Sequence, residues 1–337
     1  MRACLGLCRL IGLSLLLGGC DGADSLERVS GPTMGSSYSV QYVRSAGSPA
    51  PGQVKDEVEA LLAGIDRTFS TYRADSTIEH FNRLPAPHCQ EMPPALLHLV
   101  QVGEQLSEQS QGAYDLTVEP LLNLWGFGPQ AREAKVPDAE ALAEARQRVG
   151  YRHLRIEAGG LCKDAAVQVD FNSIAAGFAV DEVVERLQAL GVSSYLVEVT
   201  GELRAAGLKP DGGHWRVALE VPRDDRQDVE QVLAVDGYGV STSGDYRNYF
   251  ERDGKRYSHT LDARTGKPVE HPLAAVTVLA PTTLMADGWS TLLMILGPQE
   301  GWEFALRHNI AALFVTHADK GFVSRSTPVF KAMAANE

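Results

Sequence analysis

Residues 255–268 read KRYSHTLDARTGKP and residues 286–291 read ADGWST, and these two runs decide how the rest of the chain is read. The segment 257–261 has the look of a short strand, DARTG at 262–266 is dense in turn formers, and Pro268 stops regular pairing beyond it. His259 and Asp262 therefore stand at a strand end, where a rigid scaffold presents side chains to a cleft. The second run lies in a helix that TTLMAD at 282–287 begins, that Leu292, Leu293 and Ile295 line with an apolar stripe, and that Gly297-Pro298 ends. Asp287 and Thr291, four residues apart, send their oxygens from one face of it. Two hard oxygen donors at that spacing suit Mg2+ acting on a phosphoanhydride. The plainer alternative has Thr291 bonded back to its own helix and Asp287 favoured only by the helix dipole.

Outward from these runs, GVSTSGD at 239–245 reads as a small-residue bend between strands, with a strand at 246–250 and a turn at RDGK, 252–255. Strands are expected at 274–280, 310–316 and 321–324, with a last helix at 300–308. Upstream, 195–200 and 215–221 read as strands and the charged segment 222–230 as a solvated loop. DFNSIAAGFAVD at 170–181 turns from a strand at 166–170 into a helix running to residue 190, with Gly191 past its end and Asn172 or Ser173 as N-cap. Its small first turn, with Ser173, Ala175, Ala176 and Gly177, leaves room for an anion against free N–H groups, or equally for close helix packing. No GxGxxG or GxxxxGK[ST] pattern occurs, which excludes Rossmann and P-loop readings.

Farther upstream, Asp138 caps a helix reaching Val149, and a strand is expected at 153–156. AYDLTVEPLLNLWGFG at 113–128 mixes Tyr114, Asp115 and Asn123 with Trp125 and Phe127, a composition suited to burial or to a pocket wall. Helices are predicted at 93–110 and at 54–69, the latter from Val58, Leu61, Leu62, Ile65 and Phe69 on one face. Tyr72 is a packing anchor or a ring offered to a ligand, and 33–43 alternates as a strand. Helices and strands intersperse without regular βαβ repeats, which indicates an α+β fold with mixed or antiparallel sheets and packed helices.

The chain of 337 residues carries a net charge of −12 and shows no basic stripe with interleaved aromatics, so nucleic acid is not an expected partner. Arg2 and Arg9, the apolar run 10–17 and LGGC at 17–20 form a leader that resembles a bacterial lipoprotein signal. On that reading residues 1–19 are removed, Cys20 takes the lipid, 20–30 is a tether, 31–328 is the working domain and 329–337 is a tail. The protein would then be lipid-anchored in the cell envelope facing the periplasm, with the inner membrane favoured over the outer. Removing the leader also makes the body more negative by the two charges of Arg2 and Arg9. Cys89 and Cys162 remain, paired or free, and nothing in their spacing resembles a zinc site.

Five motifs, in order over about residues 30–325, together resemble the ApbE-type flavin transferases, the FAD:protein FMN transferases. They are TMGSSY at 33, STYRADS with HFN at 70–82, GAYDLTVEPLLNLWGFG at 112, VSTSGDY with YSHTLDARTGKP at 240–268, and ADGWST at 286. The resemblance implies an ApbE-like fold with an FAD cleft between its two halves. It implies a Mg2+-dependent enzyme that cleaves the FAD pyrophosphate, releases AMP and esterifies FMN to a Thr or Ser of an acceptor, such as a subunit of a respiratory complex. Met34, Tyr72, Ala113, Tyr114, Asp115, Asp170, Ala176 and Leu261 would line the FAD site. Ser173, Asp287 and Thr291, with Ser290 as a fourth, would hold or approach the metal, and His259 would be the base. The last role agrees with the chemistry, because an aliphatic hydroxyl attacks phosphorus poorly unless a nearby group takes its proton. The chain departs from the family pattern at Ala176, where many relatives carry a charged residue, and at Thr200, where a glycine is common. FAD hydrolysis to FMN and AMP, or FAD carriage without catalysis, are the alternative functions.

Overall fold

The structure, a computed structural model, describes residues 24–131, 133–223, 228–246 and 248–335. The leader and Cys20 lie outside these residues. The body is organised on an antiparallel sheet of eight strands in the order β1-β2-β6-β7-β10-β15-β16-β17. In chain order the first elements are β1 (Ser25–Thr33), β2 (Ser36–Arg44), α1 (Pro51–Phe69), α2 (Thr77–Arg83), β3 (His88–Glu91) and α3 (Pro94–Gln109). Then come α4 (Glu119–Trp125), α5 (Ala139–Arg146), β4 (Leu154–Glu157), β5 (Gly160–Lys163), α6 (Ala175–Ala189), β6 (Tyr195–Val199) and β7 (Glu202–Ala206). After these are β8 (Trp215–Glu220), β9 (Val229–Val235), β10 (Tyr238–Gly244), β11 (Tyr249–Arg252), β12 (Lys255–Ser258), β13 (Leu261–Asp262) and β14 (Lys267–Pro268). β15 (Leu273–Ala280), α7 (Thr283–Arg307), β16 (Ala311–Ala318), β17 (Gly321–Ser326) and α8 (Pro328–Ala334) finish the chain. The α+β expectation is borne out.

Two cores cover the two faces of the sheet. On one face α1, α3, α6 and α7 bury Val58, Leu62, Leu99, Val183, Leu187, Leu292 and Leu293 against Tyr195, Val197 and Val278. On the other, the β8–β9 hairpin and α8 bury Trp215, Leu233, Val235 and Phe330 against Val240, Leu279 and Leu313. A third, smaller cluster joins Leu121 and Trp125 of α4 to Ala145 of α5 and Leu261 of β13, with Phe250 and Tyr257 packed against it. Here the indole N–H of Trp125 donates to the Gly266 carbonyl at 2.8 Å, and the Ala263 N–H donates to the Ala113 carbonyl at 3.1 Å. The aromatic run 113–128 is therefore the backing of the 255–268 segment, far from it in sequence.

Several elements differ from the sequence-based expectation. Residues 239–245 are not a bend: β10 lies within the main sheet, between β7 and β15. Its α7-facing residues are small because α7 lies directly on it, and a Cβ at Gly239 would fall 2.5 Å from the Thr283 Cα. Residues 25–30 are not a tether but part of β1, an edge strand whose one buried residue, Val29, leaves no apolar alternation to read. The tail 329–337 holds most of α8, capped by Thr327 and anchored by the buried Phe330. The strand expected at 166–170 is reduced to one bridge, Val118 to Gln168, and 160–163 forms β5 instead. The segment 257–261 is interrupted at His259 and Thr260, which link two separate hairpins. Within α7, Gly297 has φ 79° and breaks the helix where Gly297-Pro298 is read to end it. Cys89 and Cys162 are paired as a disulfide joining β3 to β5.

Candidate active site

The site is built where the N-terminal turns of α6 and α7 meet. Two carboxylates join them reciprocally. Asp181 of α6 accepts from the N–H groups of Thr283 and Leu284 at 3.0 and 2.9 Å, and Asp287 of α7 accepts from the Gly177 N–H of α6 at 2.9 Å. Each helix thus satisfies orphan donors of the other, and neither Asn172 nor Ser173 caps α6, whose N-cap is Ile174 without a side-chain bond. The approach depends on glycine: a Cβ on Gly177 would stand 2.4 Å from the Thr283 carbonyl oxygen and 2.7 Å from the Asp287 Cβ. Gly177→Ala is expected to force the helices apart at a cost of about 1–3 kcal/mol. A lowered melting temperature together with lost activity would show that the junction positions the site.

An inner cavity of about 320 Å³ opens at this junction. Tyr114, Asp115, Asp170, Ser173, His259, Leu261, Asp287 and Thr291 all line it. An outer cleft of about 580 Å³ carries Met34, Tyr72 and Phe127 and shares Leu122, Asn172, Asn248 and His259 with the inner cavity, so the two are continuous. Three of the expected residues stand off these walls. Ala113 is buried and engaged through its carbonyl. Ala176 borders neither cavity. Ser290 is fully buried, its hydroxyl 3.1 Å from Ser241, 2.9 Å from Ser243 and donating to the Asp287 carbonyl at 3.0 Å. Ser290 therefore ties α7 to β10, whose Ser243 hydroxyl reaches Thr291 at 3.3 Å.

The carboxylates of the inner cavity differ in their surroundings. Asp115 accepts from Thr117 N, Thr117 Oγ1 and Tyr151 N, and Asp170 accepts from Asn172 N, Asn172 Nδ2 and Thr71 Oγ1. Both hold the backbone of the walls in place. Asp287, in contrast, is buried beside Glu202, and among the described residues no Lys or Arg pairs with it. Burial first, then Glu202, raises its pKa well above the carboxylate range. A buried carboxylate in that state, with the Thr291 hydroxyl from the same helix face opening on the same cavity, is a hard oxygen donor set that fits Mg2+. Ser173 also opens on this cavity, its hydroxyl 2.6 Å from the Tyr114 hydroxyl.

His259 stands between inner cavity and outer cleft. Its backbone N–H donates to the Asn248 carbonyl at 3.1 Å, and its Nδ1 lies 3.0 Å from the same oxygen. A carbonyl only accepts, so Nδ1 carries the proton and Nε2 keeps its lone pair. Burial lowers the imidazole pKa below its ordinary value, which leaves it neutral at pH 7. Asn248 left no trace in the sequence because it acts through its backbone. Ser243 was hidden by the reading of 239–245 as a bend. Thr200, which also borders the inner cavity, has φ +57°, a left-handed conformation that explains why a glycine would suit the position.

Residues 34–314 match the profile of the ApbE family. The chain belongs to the ApbE family. It is 40% identical over 318 residues to the FAD:protein FMN transferase of Vibrio cholerae, covering 94% of this chain and 95% of that protein. With the FAD:protein FMN transferase of Escherichia coli K12 it shares 34% over 341 residues, 97% of each. Among solved structures, the Pseudomonas stutzeri flavinyl transferase ApbE in its apo form superposes with a TM-score of 0.87 at 57% identity, covering 92% of this chain and 97% of that one. The Vibrio cholerae flavin transferase ApbE gives 0.85 at 37%, covering 92% and 99%. In this ApbE chain the shared fold surrounds the α6–α7 junction described above.

Proposed function

We propose that this ApbE-family flavin transferase is a Mg2+-dependent FAD:protein FMN transferase that leaves FMN as a phosphoester on a Thr or Ser hydroxyl of an acceptor protein. One observation carries the reading: a buried carboxylate with no cationic partner among the described residues, Asp287, shares a cavity with a neutral imidazole, His259. The outer cleft offers Met34, Tyr72 and Phe127 to the flat rings of FAD, and the inner cavity takes its pyrophosphate. Asp287 and Thr291, with Ser173 on the same cavity, would hold Mg2+, which when bound offsets negative charge on the phosphoryl oxygens.

His259 Nε2 takes the proton of the acceptor hydroxyl while that oxygen bonds to the flavin-side phosphorus. The bond from this phosphorus to the bridging oxygen breaks, and the bridging oxygen leaves with AMP. Asn248, through its carbonyl, keeps the ring in the tautomer that does this. The acceptor class suggested by the reaction is a flavin-carrying subunit of an electron-transfer complex. Lipid attachment at Cys20, holding the enzyme to the envelope and facing the periplasm, rests on the leader sequence. Intact mass of a soluble acceptor domain after incubation with the enzyme, FAD and Mg2+ tests the reading. The expected result is a gain of one FMN phosphoester that EDTA abolishes; an unmodified acceptor with intact, bound FAD would make the protein a flavin carrier.

A further inference from the structure

Resting on the transferase reading, we propose that the acceptor docks as an added β-strand on the edge of β8 over residues 216–219, in a groove that leads into the inner cavity. The groove, about 390 Å³, lies on the sheet face opposite α6 and α7. Its floor includes Leu196, Glu198 and Thr200, at every second position of one strand and its end, as expected for the face of a sheet. Its wall is Arg216, Val217, Ala218, Leu219 and Glu220, five consecutive residues of β8. Consecutive strand residues point to opposite faces, so a cavity that touches all five runs along the strand's edge.

Over residues 216–219 that edge has no strand partner among the described residues. β8 pairs with β9 alone, and β9 is the strand that lies toward β7. Four residues at roughly 3.3 Å each give about 13 Å of backbone to which an extended segment can hydrogen-bond, the mode by which peptides are added to sheet edges. The groove is continuous with the reaction site. Thr200, Glu202, Thr242 and Gly244 border both it and the inner cavity. On the other side, the inner cavity opens to the outer cleft, where the rings of FAD are assigned. The groove is thus a second approach, and a hydroxyl carried on an extended segment can reach the inner cavity along it while FAD occupies the first. The occupant is a stretch of the acceptor polypeptide that contains the Thr or Ser to be modified.

Ala218 is exposed and its methyl is not part of a core, so Ala218→Pro removes an edge N–H and crowds an incoming strand. Transfer kinetics are measured with the acceptor domain labelled in the intact-mass experiment, alongside FAD affinity from flavin fluorescence. The expected result is an acceptor KM raised about tenfold or more with FAD affinity unchanged. A second variant, Ala218→Cys carrying a benzophenone photocrosslinker, leaves β8 able to pair and is expected to cross-link to the segment holding the modified Thr or Ser. Cross-links confined to other parts of the acceptor, or an unchanged acceptor KM in a folded Ala218→Pro protein, would overturn the docking alone. If the wild-type protein labels no acceptor while releasing AMP and free FMN, the transferase reading falls and the docking falls with it.

Discussion

Asp287→Asn is expected to lower FMN transfer by roughly 10³-fold and to remove its dependence on Mg2+. The substitution keeps an oxygen that can accept from the Gly177 N–H, so the α6–α7 junction persists while the anionic donor is lost. Stability supplies an independent readout. Burial and Glu202 hold the folded-state pKa of Asp287 above its unfolded value, so its ionised form costs folding free energy. Without Mg2+, wild-type stability therefore falls as pH rises above about 4, and Asp287→Asn removes this contribution. With Mg2+ at about 100 times its Kd the wild type should gain about 2.7 kcal/mol, a gain the variant lacks. Melting curves with Mg2+ and with EDTA measure both effects. An unchanged Mg2+-dependent shift in Asp287→Asn, with normal turnover, would remove Asp287 from the metal site.

His259→Ala should lower transfer by about 10³-fold while leaving FAD affinity within a few-fold of wild type, because the ring meets the acceptor hydroxyl rather than anchoring the flavin. The pH profile separates a base from a packing residue. His259 acts in its neutral form, and burial lowers its pKa, so activity is flat near neutrality and declines only as pH falls through a value below 6.5. Above that value no further gain follows. In His259→Ala the acid limb should vanish along with the rate. A variant that retains the wild-type limb would place the titrating group elsewhere.

The fold class and the two site segments were legible because their signals are local: the apolar stripe of α7, the turn formers at 262–266 and the four-residue spacing of Asp287 and Thr291. What was not legible depends on contacts distant in sequence. β10 is central in the sheet, yet the residues it turns toward α7 are Gly239, Ser241 and Ser243, since α7 leaves that face no room for larger side chains. β1 is an edge strand with one buried residue, so pairing rather than burial makes it a strand. The same holds within the site. The sequence offers Asn172 or Ser173 as the cap of α6, whereas the Gly177 N–H of α6 donates to Asp287 of α7, 110 residues away, and Asp181 of α6 takes the Thr283 N–H of α7 in return, over 102 residues. Ser290, within ADGWST, faces β10 instead of the cavity because it shares the buried side of the helix with Leu293 and Ala286.

The most direct test of the account counts two products in one reaction: AMP released and flavin bound covalently to the acceptor, followed from the first turnover with FAD and Mg2+ in excess. Transfer from FAD to a protein hydroxyl predicts one AMP for each FMN phosphoester at every time point. AMP accompanied by free FMN, with the acceptor unmodified, would contradict it and assign the attacking oxygen to water.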